Sequence, residues 1–207
     1  MARVKIAETA GINREGEYVQ VSLQTDVKTS DIVAVNERTG ESIYCQTDTE
    51  SISNLVEKDL LHIVFPVSVE AGGERSYILV PSSDGTPPET DLSVSGEGLE
   101  LIIENEYYRA DLTRSAQTEA KNHASGQLRE LINKVDFEQV LYRTENRMHW
   151  APNFQKANLR YYTTIAGWDN PVLYRLKKGP YLVRTERQDK APAHPEILLT
   201  ASYDFYA

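Results

Sequence analysis

One short segment of the chain combines a titratable ring, a guanidinium, an amide and an indole. These groups belong to Arg147, His149, Trp150 and Asn153, within residues 147–154. An imidazole titrates near neutral pH and can move a proton, and a guanidinium can neutralise a carboxylate. The segment therefore has the residue types that general acid–base chemistry requires.

Further aromatic residues follow this segment at Tyr161, Tyr162 and Trp168. A sugar ring has an apolar face of C–H bonds and a rim of hydroxyls, so its sites combine flat aromatic rings with Arg, Asn or His. We therefore predict a saccharide site formed by Trp150, Asn153, Tyr161 and Trp168. The alternative is that both tryptophans anchor the core of two loop-rich strands.

The other histidines and the single cysteine have simpler interpretations. His62 lies in an apolar run and is predicted to be a packed residue, while His123 and His194 lie in polar or proline-flanked stretches typical of surface loops. Cys45 is the only cysteine, so no disulfide within the chain and no thiolate zinc cluster can form. We predict that Cys45 is a buried small side chain.

The sequence contains none of the short motifs that mark zinc proteases, dithiol redox proteins or serine hydrolases. The sequence Gly96-Glu97-Gly98 precedes a predicted strand rather than a helix, so it indicates a turn and not a phosphate-binding loop. We therefore predict no cofactor and no metal site.

The balance of charge argues against several classes of partner. The 22 basic and 31 acidic residues give a formal charge of −9, which is the wrong sign for binding nucleic acid or an anionic membrane. Residues 2–20 contain no apolar block. The chain as given is thus expected to be cytoplasmic, or secreted or periplasmic if a signal peptide was removed.

Alternation of apolar and polar residues dominates the chain and predicts antiparallel strands. The clearest pattern is a hairpin of residues 31–35 and 42–46, whose connection ends in Gly40 and suits a left-handed turn residue. Pro66 must lie at a sheet edge or a bulge, because it has no amide proton to donate. The other predicted strands are 3–8, 18–23, 60–67, 75–80, 100–112, 180–185 and 197–206. Residues 127–132 fit either a helix or a strand, and their context favours a strand.

Residues 82–91 contain two prolines and almost no large apolar side chains, which indicates a linker. Turn signals recur at the spacing typical of small sandwiches. We therefore predict an all-β protein of two antiparallel β-sandwich domains. The first is an immunoglobulin-like sandwich at 1–81, and the second is a larger β domain at 92–207.

Three stretches resemble those of carbohydrate-active enzymes. Residues 99–112 and 125–131 resemble consecutive strands of the galactose-mutarotase-like supersandwich domains of polysaccharide lyases and of the C-terminal domains of alpha-mannosidases. Residues 11–21 resemble the N-terminal sandwich of exo-rhamnogalacturonan-lyase-like proteins. The resemblance implies that 92–207 is part of a supersandwich, which in those families is longer.

This departure in length predicts that a second copy or another chain completes the sheet beside residues 203–206, or that the sequence is a fragment. The expected function is that of a carbohydrate-associated protein, related to polysaccharide lyases or glycosidases. If it is catalytic, the chemistry is β-elimination, with Arg147 neutralising a carboxylate and His149 or Tyr162 moving the proton. The alternative is a non-catalytic structural or assembly subunit.

Overall fold

The computed structural model describes residues 1–24, 31–48, 60–82, 85–112, 128, 130–141, 153–155, 162–164, 173–191 and 194–207. Within these ranges every regular element is a β-strand and every strand pair whose register is described is antiparallel, which confirms the predicted all-β fold. None of these residues forms a helix of the length and apolarity that a bilayer crossing needs.

The chain forms two compact units. The first comprises Met1–Thr90 with Gly179–Leu182 and Tyr206, and the second comprises Asp91–Lys178 with Val183–Phe205 and Ala207. The predicted linker and domain limits remain predictions.

The first unit contains six strands in the order β1-β6-β3-β4-β5-β2. Their bounds are β1 Ala2–Ala7, β2 Arg14–Gln24, β3 Ile32–Asn36, β4 Ser42–Asp48, β5 Leu60–Val69 and β6 Glu74–Pro81.

Strand β4 changes partner halfway along its length. Its first half pairs with β3, ending at Cys45 opposite Ile32, and its second half pairs with β5, beginning at Gln46 opposite Val64. The β3–β4 turn has the predicted left-handed glycine, because Gly40 has φ 73° and donates its N–H to the Asn36 carbonyl at 2.8 Å. The predicted hairpin is therefore confirmed.

The core of the first unit is formed largely by one face of β5, while Val64 on its other face is buried in a second cluster. The odd-numbered residues of β5 from Leu61 to Val69 are buried, and Phe65 packs edge-on against Tyr77 with ring centroids 5.4 Å apart. Cys45 is buried in the same core, as predicted, and burial raises the pKa of its thiol to about 12. This thiol is consequently protonated at neutral pH.

Pro66 lies where β5 has only one neighbouring strand. β5 pairs with β2 along most of its length, but among the described residues its pairing with β4 stops at Val64. The expectation that Pro66 needs an edge-like position is thus met.

The second unit contains a five-stranded sheet in the order β11-β10-β9-β8-β7, a three-stranded sheet in the order β14-β15-β16 and the pair β12-β13. The bounds are β7 Ser93–Glu97, β8 Glu100–Glu104, β9 Tyr108–Asp111, β10 Glu130–Asn133, β11 Glu138–Leu141, β12 Asn153–Gln155, β13 Tyr162–Thr164, β14 Leu173–Lys178, β15 Leu182–Ala191 and β16 His194–Tyr206. Buried residues of β8, β9, β15 and β16, together with Leu92 and Leu112, form its core.

Three local features between residues 173 and 194 differ from the sequence predictions. The predicted strand 180–185 starts later, because Gly179 donates its N–H to the Leu182 carbonyl at 3.1 Å and closes a turn. β14 was not predicted, although it pairs along β15 from Leu173 opposite Gln188 to Lys178 opposite Val183. His194 begins a strand rather than lying in a turn.

The carboxylate of Glu8 organises the loop between β1 and β2. It accepts hydrogen bonds from the backbone N–H groups of Ala10, Gly11 and Ile12 at 2.7, 2.8 and 3.2 Å, and from that of Gly72 at 2.9 Å. These bonds, that from Gly72 foremost, lower the pKa of Glu8.

We predict that Glu8→Gln lowers the melting temperature at pH 7, because a neutral amide accepts these bonds less well. A lowered folded-state pKa contributes stability above the ordinary value of 4.5, and this contribution is lost as the pH falls through the folded-state pKa. The difference in melting temperature between Glu8→Gln and the unmodified protein should therefore shrink as the pH falls from 4.5 through the folded-state pKa of Glu8. Scanning calorimetry across pH checks this, with Glu15→Gln as control; a difference that stays constant with pH would be incompatible.

Candidate functional site

A groove of about 650 Å³ lies in the first unit where β4 separates from β5. Ser42, Ile43 and Tyr44 of β4 line one side, and residues 66–68 of β5 line the opposite side. Because these stretches are not paired with each other in the described ladder, the space between them is open to a ligand. The groove is therefore a direct result of the change of partner along β4.

The floor of the groove is polar and buried. Tyr77 and Asn36 are directly opposite each other on β6 and β3, and both are buried lining residues. The Asn36 carboxamide oxygen accepts hydrogen bonds from the N–H groups of Arg38 and Thr39 at 2.9 and 3.3 Å. The Asn36 side chain is also hydrogen-bonded to the Tyr77 hydroxyl. The floor is consequently fixed in position before any ligand binds.

Two opposite charges also line the groove. The Arg75 guanidinium lies on the same face of β6 as Tyr77, and Glu41 lies in the β3–β4 connection. Burial raises the pKa of Tyr77, Arg75 lowers it and Glu41 raises it. Both charges thus act on the buried hydroxyl. A ligand here meets a guanidinium, a carboxylate and a phenol together.

The apolar walls of the groove are aromatic rings and prolines. Tyr44 and Tyr181 contact each other with ring centroids 5.9 Å apart, and Pro66 and Pro88 also line the space. Burial raises the pKa of Tyr44, and it raises that of Tyr181 to about 12. The hydroxyls of these walls therefore remain protonated at neutral pH.

Tyr181 belongs to a larger tyrosine cluster in the first unit. Its ring is 5.4 Å from that of Tyr18, which stacks on Tyr206 at 5.5 Å. The Gln20 carboxamide donates a hydrogen bond to the Tyr206 hydroxyl, and Val64 is buried in the same cluster. Aromatic contacts of this kind add about 0.5–1.5 kcal/mol each beyond the area they bury.

Gln46 fixes the backbone of Tyr181. Its side-chain oxygen accepts hydrogen bonds from the N–H groups of Tyr181 and Leu182 at 3.0 and 2.9 Å, and its side-chain nitrogen donates to the Leu182 carbonyl at 2.7 Å. A Cβ added at Gly179 would overlap the Gln46 carboxamide. Glycine at 179 therefore permits the close approach that positions Tyr181.

Most of the site residues predicted from sequence lie outside the described residues. These are Arg147, His149, Trp150, Tyr161 and Trp168. Their proposed roles remain predictions.

The structure describes the backbone of the other two predicted site residues. Asn153 lies in β12 and Tyr162 in β13, where Asn153 is opposite Thr164 and Gln155 is opposite Tyr162. The two residues are at opposite ends of this short ladder. Within the described part of the chain, no group of three or more His, Cys, Asp or Glu residues could hold a metal ion.

Sequence analysis did not predict the groove in the first unit. Three of its features had a visible signal: the Asn36–Gly40 turn, the proline in β5 and the abundance of tyrosine, with 12 residues. None of these signals reveals that β4 exchanges partners. The groove therefore required the pairing of the strands to be known.

Comparison with known proteins leaves the family unassigned. No protein-family model, curated protein or solved structure matches the chain.

We predict that Gln46→Ala lowers the free energy of unfolding by about 1–3 kcal/mol, because it removes the acceptor of the Tyr181 and Leu182 N–H groups and one of the two donors to the Leu182 carbonyl. Gly179→Ala should have a similar effect by displacing the carboxamide. In the double variant the added methyl group no longer meets Gln46, so the two losses should not add. Urea denaturation followed by circular dichroism measures all four proteins, and additive losses would show that the two residues act independently.

Proposed function

We propose that this chain is a carbohydrate-associated β-sandwich protein that binds a saccharide in the groove of the first unit. The observation that carries the proposal is that the groove is lined both by the rings of Tyr44 and Tyr181 and by polar groups. The polar groups are the side chains of Asn36, Tyr77 and Arg75. A sugar ring needs both an apolar surface and fixed hydrogen-bonding groups, and this groove offers both.

Hydrogen-bonding capacity supports a hydroxyl-rich ligand. The protonated Tyr77 hydroxyl can donate as well as accept, the Arg75 guanidinium only donates and the Glu41 carboxylate only accepts. A sugar hydroxyl is both a donor and an acceptor, so it can satisfy either kind of group. A purely apolar ligand would use none of this hydrogen-bonding capacity.

The groove is already ordered in the absence of a ligand, and this order favours tight binding of a saccharide. Asn36 is held by backbone N–H groups, and the backbone of Tyr181 is held by Gln46. Groups that are already fixed lose little entropy when a ligand binds. The groove therefore does not have to be assembled by its ligand.

A relation to polysaccharide lyases or glycosidases is a second part of the proposal. It is supported by the resemblance of residues 11–21 and 99–131 to the sandwiches of those enzymes. Under this proposal the groove holds part of a polymer, and any β-elimination depends on Arg147, His149 and Tyr162. The proposed catalytic roles of these three residues do not involve the groove, and substitution of each of them tests those roles separately.

We expect the protein to retain one or more glycans on an array of neutral and acidic saccharides. Isothermal titration calorimetry with a retained glycan should then show roughly tenfold weaker binding to Tyr44→Ala, because a lost stacking contact costs about 1.4 kcal/mol. Tyr107→Ala removes an exposed tyrosine of the second unit and serves as the matched control.

Retention of no glycan would contradict the proposal. So would equal affinity of Tyr44→Ala and the unmodified protein, if both have the same melting temperature. Weaker binding by Trp150→Ala, with Tyr44→Ala unaffected, would instead place the saccharide at the aromatic loop predicted from sequence.

A further inference from the structure

Two turns of the second unit are joined at one end of its five-stranded sheet. The connection between β8 and β9 and the connection between β10 and β11 meet where Lys134 donates its N–H to the Tyr107 carbonyl at 2.7 Å. The Lys134 ammonium also donates to the Asn105 carbonyl at 2.6 Å. The two turns therefore form one structural feature.

Large apolar side chains project from this feature into solvent. The exposed fractions are 55% for Tyr107, 63% for Val135, 85% for Phe137 and 60% for Val140. We call these four residues the apolar tip. Tyr107, Val135 and Phe137 lie on the two joined turns, and Val140 lies in β11, which follows the second turn. A single exposed apolar residue is ordinary, but several on adjoining elements form the kind of patch that marks an interaction surface.

The backbone at Phe137 is strained. Its φ of 54° is in the left-handed region, and Phe137 is the one described residue other than glycine that has a positive φ. A glycine would adopt this conformation without steric cost. Phe137 is bulky and its side chain is exposed, so no burial of the side chain offsets the steric cost of this backbone conformation. This combination indicates a role outside folding.

The apolar tip is nevertheless held rigidly. The Asn105 carboxamide oxygen accepts hydrogen bonds from the N–H groups of Tyr107 and Tyr108, both at 2.9 Å. The Asn133 carboxamide oxygen accepts one from Val135 at 2.9 Å, and Glu106 donates its N–H to Asp91 at 2.7 Å. A rigid apolar surface loses little entropy on docking.

Acidic residues flank the apolar tip in the sequence. Glu106, Asp136 and Glu138 lie beside its side chains in the sequence, and the nearby Lys134 is paired with Glu104 at 2.9 Å. A second copy would bring an identical acidic rim and a charge of −9 against the first, and an anionic membrane would also be repelled. Charge complementarity therefore favours a basic partner.

We propose that the apolar tip docks a protein segment in which Lys or Arg residues accompany aromatic or branched aliphatic side chains. Phe137 is the central anchor of this interaction, since it is the most exposed of the four side chains and aromatic anchors dominate such interfaces. This interaction is separate from the proposed saccharide site and uses only residues of the second unit.

The test uses a phage-displayed library of short random peptides, selected on the full chain and then measured by fluorescence anisotropy with the synthetic peptides. We expect the selected peptides to combine Lys or Arg with aromatic or branched aliphatic residues. Phe137→Gly and Val135→Ser should each weaken binding at least tenfold, and added salt should weaken it further.

Phe137→Gly also separates docking from folding. Glycine relieves the positive φ, so this variant should have a higher melting temperature than the unmodified protein while it loses peptide binding. Ile12→Ser, which removes an exposed apolar residue of the first unit, is the matched control and should bind peptide normally.

Several results would overturn the proposal. These are selection of no peptide or of acidic peptides, and peptide affinity that Phe137→Gly leaves unchanged. Sedimentation showing dimers that depend on Phe137 would assign the tip to a second copy. Flotation with phosphatidylserine vesicles that depends on Phe137 would assign it to a membrane, and loss of glycan binding in Phe137→Gly would assign it to a saccharide.

Discussion

The change of partner along β4 is the constraint on which the architecture of the first unit depends. The first half of β4 pairs with β3 and its second half pairs with β5. This single strand therefore joins strands β1, β6 and β3 to strands β5 and β2. Buried residues from both groups of strands, including Ala34, Cys45 and Phe65, fill the space between them. The same geometry separates Tyr44 from Pro66, so the sandwich cannot form in this way without leaving a groove.

The point at which β4 changes partner also positions Tyr181 in the groove wall. Gln46 is the first residue of β4 that pairs with β5, and its side chain replaces a strand partner for the backbone at Tyr181 and Leu182. One residue thus contributes to the ladder through its main chain and to the wall through its side chain. This arrangement explains why a distant part of the sequence is needed to complete a unit formed mainly by residues 1–90.

Apolar runs bounded by turn residues were sufficient to predict the hairpin of β3 and β4 and the buried strand β5. They were insufficient at Gly179, where the backbone of the turn is hydrogen-bonded at Tyr181 and Leu182 to Gln46, more than a hundred residues away in sequence. The groove was missed for the same reason, since local sequence does not specify which strand β4 pairs with. The predicted saccharide residues at 147–168 were chosen by composition, and their roles remain predictions.

The most direct test of the proposed function is to map a bound glycan on the amide resonances of the ¹⁵N-labelled protein. The account predicts chemical-shift changes concentrated at Ser42, Tyr44, Ser68 and Tyr77, which line the groove. Changes confined to residues 147–168, with these four amides unmoved at saturating glycan, would contradict it.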